Sequence, residues 1–412
     1  MILGIDLSKQ YAQISVYNKK ENTVDTPVLS ECDGEDIIPV QICKKKGTNE
    51  WYVGDEAKRL ELLGEGVVVD GLIDKVYDNS PLFVDGVSIL PVELLEKYIS
   101  GIVSLSGNVR EIESVCVCLE EFNAALLDSL SRVFEMMQIN YNKVEFINRN
   151  ESDMYYVLSQ SKDIWYGDVA IFDYRQSGLV VSMLGIRRGN GAELVTVTDN
   201  DFSEMLPYIY ADTKEKQDNV NHMLTDIAEK LFEKRVVSSV FLTGKGFAGD
   251  GGYDDFIKFI CNKRRVFIGQ NIYSKGACYA ALELENPKGI SDRVLFCKDK
   301  LMYELDLDIT ERGKASRLRI VKPGTNWYKA RKKYDFFMDG EREIVLHKRK
   351  YGEKEEETIT ISLEEFPVRP NKATKICIGF DFEADGICKV TVKDRGFGRF
   401  FKGCDKIIYK EF

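Results

Sequence analysis

Two aspartates in this chain end apolar runs in the same way. Asp6 closes "MILGID" and Asp173 closes "VAIFD", and after a short polar stretch each is followed by a second, alternating run. Apolar run, acid, polar turn and alternating run read as a β-hairpin with a carboxylate at its tip. A third run, "VSSVFLT", ends instead in Gly244, Lys245, Gly246 and Phe247. Glycine after a strand lets backbone N–H groups come close to a phosphate. "GKGFAG", Gly244 to Gly249, formally fits G-x-G-x-x-G. The strand after it, "RRVFIGQN", lacks the closing acid that binds a ribose, so a dinucleotide site is set aside. With only two histidines, His222 and His347, nucleophilic catalysis of the His-assisted kind is disfavoured. The ten cysteines stand singly, apart from Cys116 and Cys118. Those two alternate in "ESVCVCLEE" and so share one face of a strand. A metal would need further ligands beside them, and buried thiols in a reducing cytosol are the favoured reading.

The elements that must position these residues alternate. Between these three runs, "EEFNAALLDSLSRVFEMMQ" places Phe122, Leu126, Leu130, Val133 and Met137 at helical spacing, and "NHMLTDIAEKLFEKR" does the same with Met223, Ile227 and Leu231. "SKGACYAALEL" is small and apolar, as a closely packed helix requires. Two similar hairpin-and-helix halves predict an α/β fold. After about residue 290 the pattern changes to alternating runs, with "KICIGFDFEADGICKVTVKDRG" a hairpin turning at "EADG". An all-β sandwich is expected there, with the charged run "KRKYGEKEEE" as a solvated loop between strands.

Bulk properties bound the function classes. The 412 residues are 44% hydrophobic and 30% charged, enough core for two or three domains. A net charge of −10 argues against nucleic acid as a partner. No run approaches the roughly 18 apolar residues of a membrane span. Asp6 and Lys9 interrupt the apolar start, so no signal peptide is read there. A cytoplasmic protein with no membrane partner is expected.

Taken together, the first hairpin, "IIPVQICKKKGTNEWYVGDEAKRL", "VCLEEFNAALLDSLSRVFEMMQINYNKVEFINRNESDMYYVL", the second hairpin, "VSSVFLTGKGFAG", "NIYSKGACYAALEL" and "GFDFEADGICKVTVKDRGFG" resemble the seventy-kilodalton heat-shock chaperones of the actin-like ATPase superfamily. The resemblance spans nearly the whole chain and is most specific in the C-terminal hairpin. It implies an actin-like ATPase nucleotide-binding domain, ribonuclease H-like and duplicated, over residues 1–290. A linker over 291–300 follows, with "SDRVLF" (291–296) in the place of the family's hydrophobic segment. A chaperone-type sandwich over 301–412 completes the chain, without a helical lid. The stretch from Gly189 to Arg235 is much shorter than the family's second-lobe subdomain.

In that family two hairpins hold ATP or ADP with Mg²⁺ between them. The matching positions here are Asp6, Ser8, Lys9 and Gln10 in the first loop. Asp173, Arg175, Gln176, Ser177 and Gly178 form the second, and Gly244, Lys245, Gly246 and Phe247 the adenosine segment. Asp6 and Asp173 would be the water-mediated Mg²⁺ ligands and the only catalytic candidates. The departures are many. Both loops have lost glycines. Asn148-Arg149-Asn150 puts a cation where the family has an acid, unless Glu151 takes its place. The catalytic lysine aligns with Leu72, with Lys75 nearest. Lys245 replaces a second glycine, and Ala248 an arginine that packs on the base. Three readings stay open: hydrolysis, which needs most of these parts at once; binding without turnover, with Lys9, Arg175 and Lys245 offsetting phosphate charge; and a relic cleft. The last two outweigh the first.

The expectation is therefore a divergent chaperone-like protein with a degenerate nucleotide cleft, its ATPase activity left open but weighed against, acting as a protein-binding or scaffold module, with or without nucleotide control. The alternative is an active ATP-dependent chaperone. A filament-forming or sugar-phosphorylating relative is set aside, because neither carries such a β-domain. The expected partner is a protein or extended peptide, with Trp327, Tyr328, Phe336 and Phe337 lining a groove or filling the sandwich core.

Overall fold

The computed structural model describes residues 1–29, 36–188, 193–208, 213–248, 252–287, 289–290, 293–384 and 386–412. Gly249, Ser291, Asp292 and Asp385, which belong to segments singled out above, lie outside the described residues, as do 189–192 and 209–212 of the short second-half stretch. The chain divides into two compact units, 1–187 with 195–293, and 188–194 with 294–412.

The first unit is α/β and carries one topology twice. Its first sheet runs in the order Val144–Asn148, Ser114–Leu119, Ile2–Leu7, Tyr11–Asn18, Thr23–Asp25. Its second sheet runs Arg265–Ile268, Val237–Thr243, Asp168–Arg175, Gly178–Arg188, Glu193–Asp201. Numbered within each half, both read 5-4-1-2-3. In both, strand 1 pairs antiparallel with strand 2 and parallel with strand 4, and strand 4 runs parallel to strand 5. The first strand of each half is buried almost end to end because neighbours flank it on both sides, which is why it reads as a continuous apolar run.

Two helices join the halves at the strands' C-terminal ends. Arg149–Ser159 follows the fifth strand of the first half, and Ile272–Glu285 follows the fifth strand of the second. They pack on each other, and the second also lies on Ile2–Leu7 and Ser114–Leu119. The small residues of "SKGACYAALEL" set that approach. A Cβ on Gly4 would lie 2.1 Å from the backbone N of Cys278, so only glycine lets strand and helix come this close. Cys116, Cys118 and Cys278 share that core with Ala277 and Ala281. They are packing thiols, and burial pushes the Cys118 thiol well up.

The helix Ala124–Met136 buries Leu126, Leu130 and Val133, together with Leu127 and Phe134; Phe122 precedes it. The helix Lys214–Phe232 buries Val220, Leu224, Ile227, Ala228 and Phe232. Its inward stripe is therefore turned from the expected one, and Met223 and Leu231 flank it, half-buried.

The second unit is all-β. One four-stranded sheet has the order Lys314–Val321, Tyr303–Glu311, Glu343–Lys350, Glu357–Ser362. The other has Lys332–Phe337, Lys375–Phe382, Cys388–Gly396, Ile407–Glu411. Every pairing in both is antiparallel, and alternate residues are buried, as in "CKVTVKDRG". Two readings change here. "KRKYGEKEEE" begins as strand, since Lys348–Lys350 end Glu343–Lys350, and Tyr351 packs edge-on against Phe296 at 5.0 Å. Within "SDRVLF", Val294–Phe296 is a strand with Leu295 and Phe296 buried, not a free connector.

Candidate functional site

The strand ends of the first unit converge on one cluster of charge. Asp6 lies near the end of Ile2–Leu7, and Glu120 directly follows Ser114–Leu119. Arg149 opens its helix, and Asp173 and Arg175 close the first strand of the second half. Tyr273 stands in the first turn of Ile272–Glu285. Crevices at the C-terminal ends of parallel strands are where α/β proteins place their sites.

Arg149 is the centre of this cluster. Its guanidinium lies 3.8 Å from Asp6 Oδ2, 4.0 Å from Asp173 Oδ2 and 3.1 Å from Glu120 Oε1. It donates to the Tyr11 hydroxyl at 3.0 Å and stacks over the Tyr273 ring at 4.6 Å. Its side chain is only 7% exposed. Arg175 pairs with Asp173 and, at 3.3 Å, with Glu120. The Tyr273 hydroxyl donates to Asp173 Oδ2 at 2.6 Å. Three carboxylates thus face two guanidinium groups in a water-poor space.

The titration of the cluster follows from this geometry. Burial raises the Asp6 carboxyl from 3.8 to about 6, with Arg149 pulling the other way and Glu120 adding to the rise. Burial works against the charge on Arg149, but Asp6, Tyr11, Tyr273 and Glu120 outweigh it and hold its pKa well up. For Arg175 burial is likewise outweighed, first by Asp173. Asp153, one turn into the same helix, is pushed well up by burial and then by Asp199 and Asp173.

Several buried atoms here have no hydrogen-bond partner within the protein: Asp6 Oδ1, both Asp153 oxygens, Gln13 Nε2 and Arg149 Nε. Three are carboxyl oxygens and two are nitrogen donors, and with Asp153 pushed toward its protonated form one of its oxygens is a donor as well. Among the described residues, no group of three or more His, Cys, Asp or Glu side chains is placed to hold a metal ion.

The remaining expected site residues are only partly gathered. Ser8 is spent inside its own turn, donating to Tyr11 O and accepting from the Gln10 and Tyr11 amides. Lys9 turns away from the acids to Asp74 (3.5 Å), Glu121 (3.7 Å) and the Tyr77 ring. Gln10, Gln176, Ser177, Lys245 and Ala248 are exposed, while Gly178 is buried against Ser203. Leu72 is buried, and Lys75 donates to Asp70 O at the start of its own helix.

Glu151 does not take the place of the missing acid. Its carboxylate accepts from the Asn148 amide while Asn148 Oδ1 accepts from the Glu151 amide, a reciprocal cap on the helix. Gly244 meets the second hairpin directly. At φ +89°, a Cβ there would lie 2.5 Å from Tyr174 O. Gly246 faces the Tyr174 ring, and Phe247 packs into Tyr174, Tyr253 and Phe256.

Sequence reasoning missed Arg149 as the hub, along with Glu120, Tyr11 and Tyr273. One signal was available. A cation in the first turn of a helix opposes the helix dipole, and such a break of a local rule asks for a compensating partner. Of the four aromatics assigned to the second unit, Trp327 is buried and donates to Asp299 at 3.2 Å. Tyr328 and Phe336 are half-buried, and Phe337 is 56% exposed.

A mixed α/β unit with a buried cluster of charge between duplicated halves, joined to an all-β unit, is the class of protein that these observations define. Residues 29–299 match the C-terminal sequence model of a family of unknown function, DUF5716, and the chain belongs to that family. Residues 300–412 match a domain of unknown function, DUF8552. No curated protein matches the chain. No helix among the described residues is long and apolar enough to cross a membrane.

Proposed function

We propose that this chain is an actin-like, chaperone-related protein whose interlobe cleft is held by its own ions instead of Mg²⁺-nucleotide, and that it works without turnover as a protein-binding or scaffold module. The observation that carries this reading is Arg149, buried between Asp6 and Asp173 at 3.8 and 4.0 Å. In the related chaperones the two hairpin-tip acids serve a hydrated Mg²⁺. Here a guanidinium fixed to the backbone supplies the opposite charge.

The residues do not fit a nucleotide. A triphosphate needs several converging donors, whereas three of the five unpartnered atoms of the cluster are carboxyl oxygens. Ser8, which would offer its hydroxyl and turn, is already satisfied. Tyr174 and Phe247 fill the space beside Gly244 and Gly246.

Isothermal titration and thermal denaturation with Mg-ATP and Mg-ADP test the reading. The expected result is no saturable heat and no rise in Tm. A ligand at about a hundred times its Kd would add about 2.7 kcal/mol of stability, so a concentration-dependent rise in Tm would overturn the proposal. Phosphate release abolished by Asp6→Asn would establish the active chaperone in its place.

A further inference from the structure

The second unit presents an aromatic platform that neither the cluster above nor its core requires. The segment Asp394–Cys404, "DRGFGRFFKGC", links the strand Cys388–Gly396 to Ile407–Glu411. It is anchored tightly. The Asp394 side chain is fully buried and accepts from Arg369 through both oxygens, at 2.9 and 2.8 Å. It also accepts from the Gly396 amide at 2.7 Å and the Cys404 amide at 3.0 Å. Arg369 donates again to Lys402 O at 2.7 Å, and the Phe397 amide donates to Phe401 O at 2.7 Å.

What this framework holds outward is apolar. Phe400 is 83% exposed and Phe397 40% exposed. Phe337, at the end of the edge strand Lys332–Phe337, lies edge-on to Phe397 with ring centroids 6.1 Å apart. Within the segment the exposed charges are of one sign; of the acids nearby, Asp335 on the edge strand is paired with Lys375 at 2.9 Å, and Asp405 follows just beyond it. Arg395, Arg399 and Lys402 are exposed, and the one acid of the segment, Asp394, is already neutralised by Arg369. A turn that only reversed the chain would need neither the clamp nor exposed rings. Rigid aromatics ringed by arginine are the composition of binding hot spots.

We propose that this platform docks an extended, acidic segment of a partner protein that carries aromatic or large aliphatic side chains. The proposal rests on the protein-binding reading above and names the partner's chemistry. The apolar side chains cover Phe337, Phe397 and Phe400, and Asp or Glu between them pair with Arg395, Arg399 and Lys402. Charge complementarity decides the occupant. A basic patch on a chain of net charge −10 favours an acidic segment locally, while two whole copies of the chain repel each other.

The test uses the full chain and a fluorescein-labelled peptide, Glu-Phe-Asp-Leu-Glu-Phe-Asp-Leu, followed by fluorescence anisotropy. A peptide with Lys at each acidic position and one with Gly at each apolar position are the controls. The expected result is saturable binding of the first peptide alone. Affinity should fall by at least about tenfold in Phe397→Ser/Phe400→Ser and in Arg399→Glu/Lys402→Glu. These positions are exposed, so circular dichroism and Tm should match wild type.

No binding, equal binding of the lysine peptide, or equal binding by the variants overturns the proposal. So does preferential binding of phosphatidylserine vesicles or oligo(U), or a self-association in sedimentation that the Phe variant abolishes. Mg-ATP binding with peptide binding intact would overturn only the nucleotide-independent reading. Failed peptide binding without a nucleotide effect would overturn only this one.

Discussion

The charge on Asp6 should cost this protein stability, and removing it should make the fold stronger at neutral pH. Burial, which Arg149 only partly offsets, pushes the Asp6 carboxyl in the folded chain up to about 6 from its ordinary 3.8. Between those two values the folded state binds a proton that the unfolded state has released. Stability therefore falls as pH rises through this window, and the whole penalty stands above about pH 6. At about 1.4 kcal/mol per pH unit, the gap is worth about 3 kcal/mol. Asn keeps the shape of the protonated carboxyl and carries no charge. Asp6→Asn should therefore add up to about 3 kcal/mol near pH 7.5 and almost nothing below about pH 4. Urea unfolding across pH 3.5 to 8, followed by tryptophan fluorescence, gives the two profiles, and their difference isolates Asp6 from Asp153 and Glu120. A variant less stable than wild type near pH 7.5 would show that the Arg149 ion pair outweighs desolvation. Parallel profiles between about pH 4 and 6 would show that Asp6 does not titrate there. Either result refutes the reasoning.

The opposite perturbation should be severe. Arg149→Met leaves Asp6, Asp173 and Glu120 with Arg175 alone and should cost about 3–5 kcal/mol. Asp6→Asn in the same chain should recover part of that loss, and strict additivity in denaturation midpoints would refute direct coupling. In the second unit, Arg369 and the Gly396 and Cys404 amides outweigh the cost of burial and bring the Asp394 carboxyl down from 3.8 to about 2. A depressed carboxyl stabilises fully above its unfolded pKa. About 2 kcal/mol should therefore be lost as pH falls from about 4 to below 2. Hydrogen exchange at Gly396 and Cys404, relative to intrinsic rates, should speed up in that range, and unchanged protection would count against it. Gly244→Ala forces a side chain into φ +89° and against Tyr174 O. It should lower stability by more than about 1 kcal/mol, and a neutral Tm would show that the approach relaxes freely.

The sequence made the strands and their acids legible for a physical reason. A first strand buried on both faces must be apolar throughout, so Ile2–Leu7 and Val169–Phe172 stand out, and a carboxylate at the end of each is conspicuous. The duplication was legible for the same reason, since both halves repeat one strand order and so one hydrophobic pattern. Helix faces were less exact. In Lys214–Phe232, neighbouring apolar positions at 223 and 224 both suit a stripe, and only packing chooses Leu224. What faces the acids was not legible. Arg149 is 143 positions from Asp6 in sequence and reaches it only because the fifth strand, two places away in the sheet, delivers its helix to the same edge.

That distance also explains why the departures in the loops could be seen while their consequence could not. Missing glycines say only that phosphate is poorly accommodated. They do not say what balances two buried carboxylates, and some balance is required, because an unpaired buried charge neutralises or unfolds its surroundings. Arg149 meets that requirement by position: it stands at a helix start that faces both hairpins. It does so against the helix dipole and in the first turn, where an acid would be favoured. The reciprocal cap of Asn148 and Glu151 stabilises the same turn locally. Three carboxylates outweigh the dipole, so the cation is held by its tertiary partners and not by its helix. A charge placed against its own secondary structure, facing two distant acids, is what the proposed structural clasp between the halves requires.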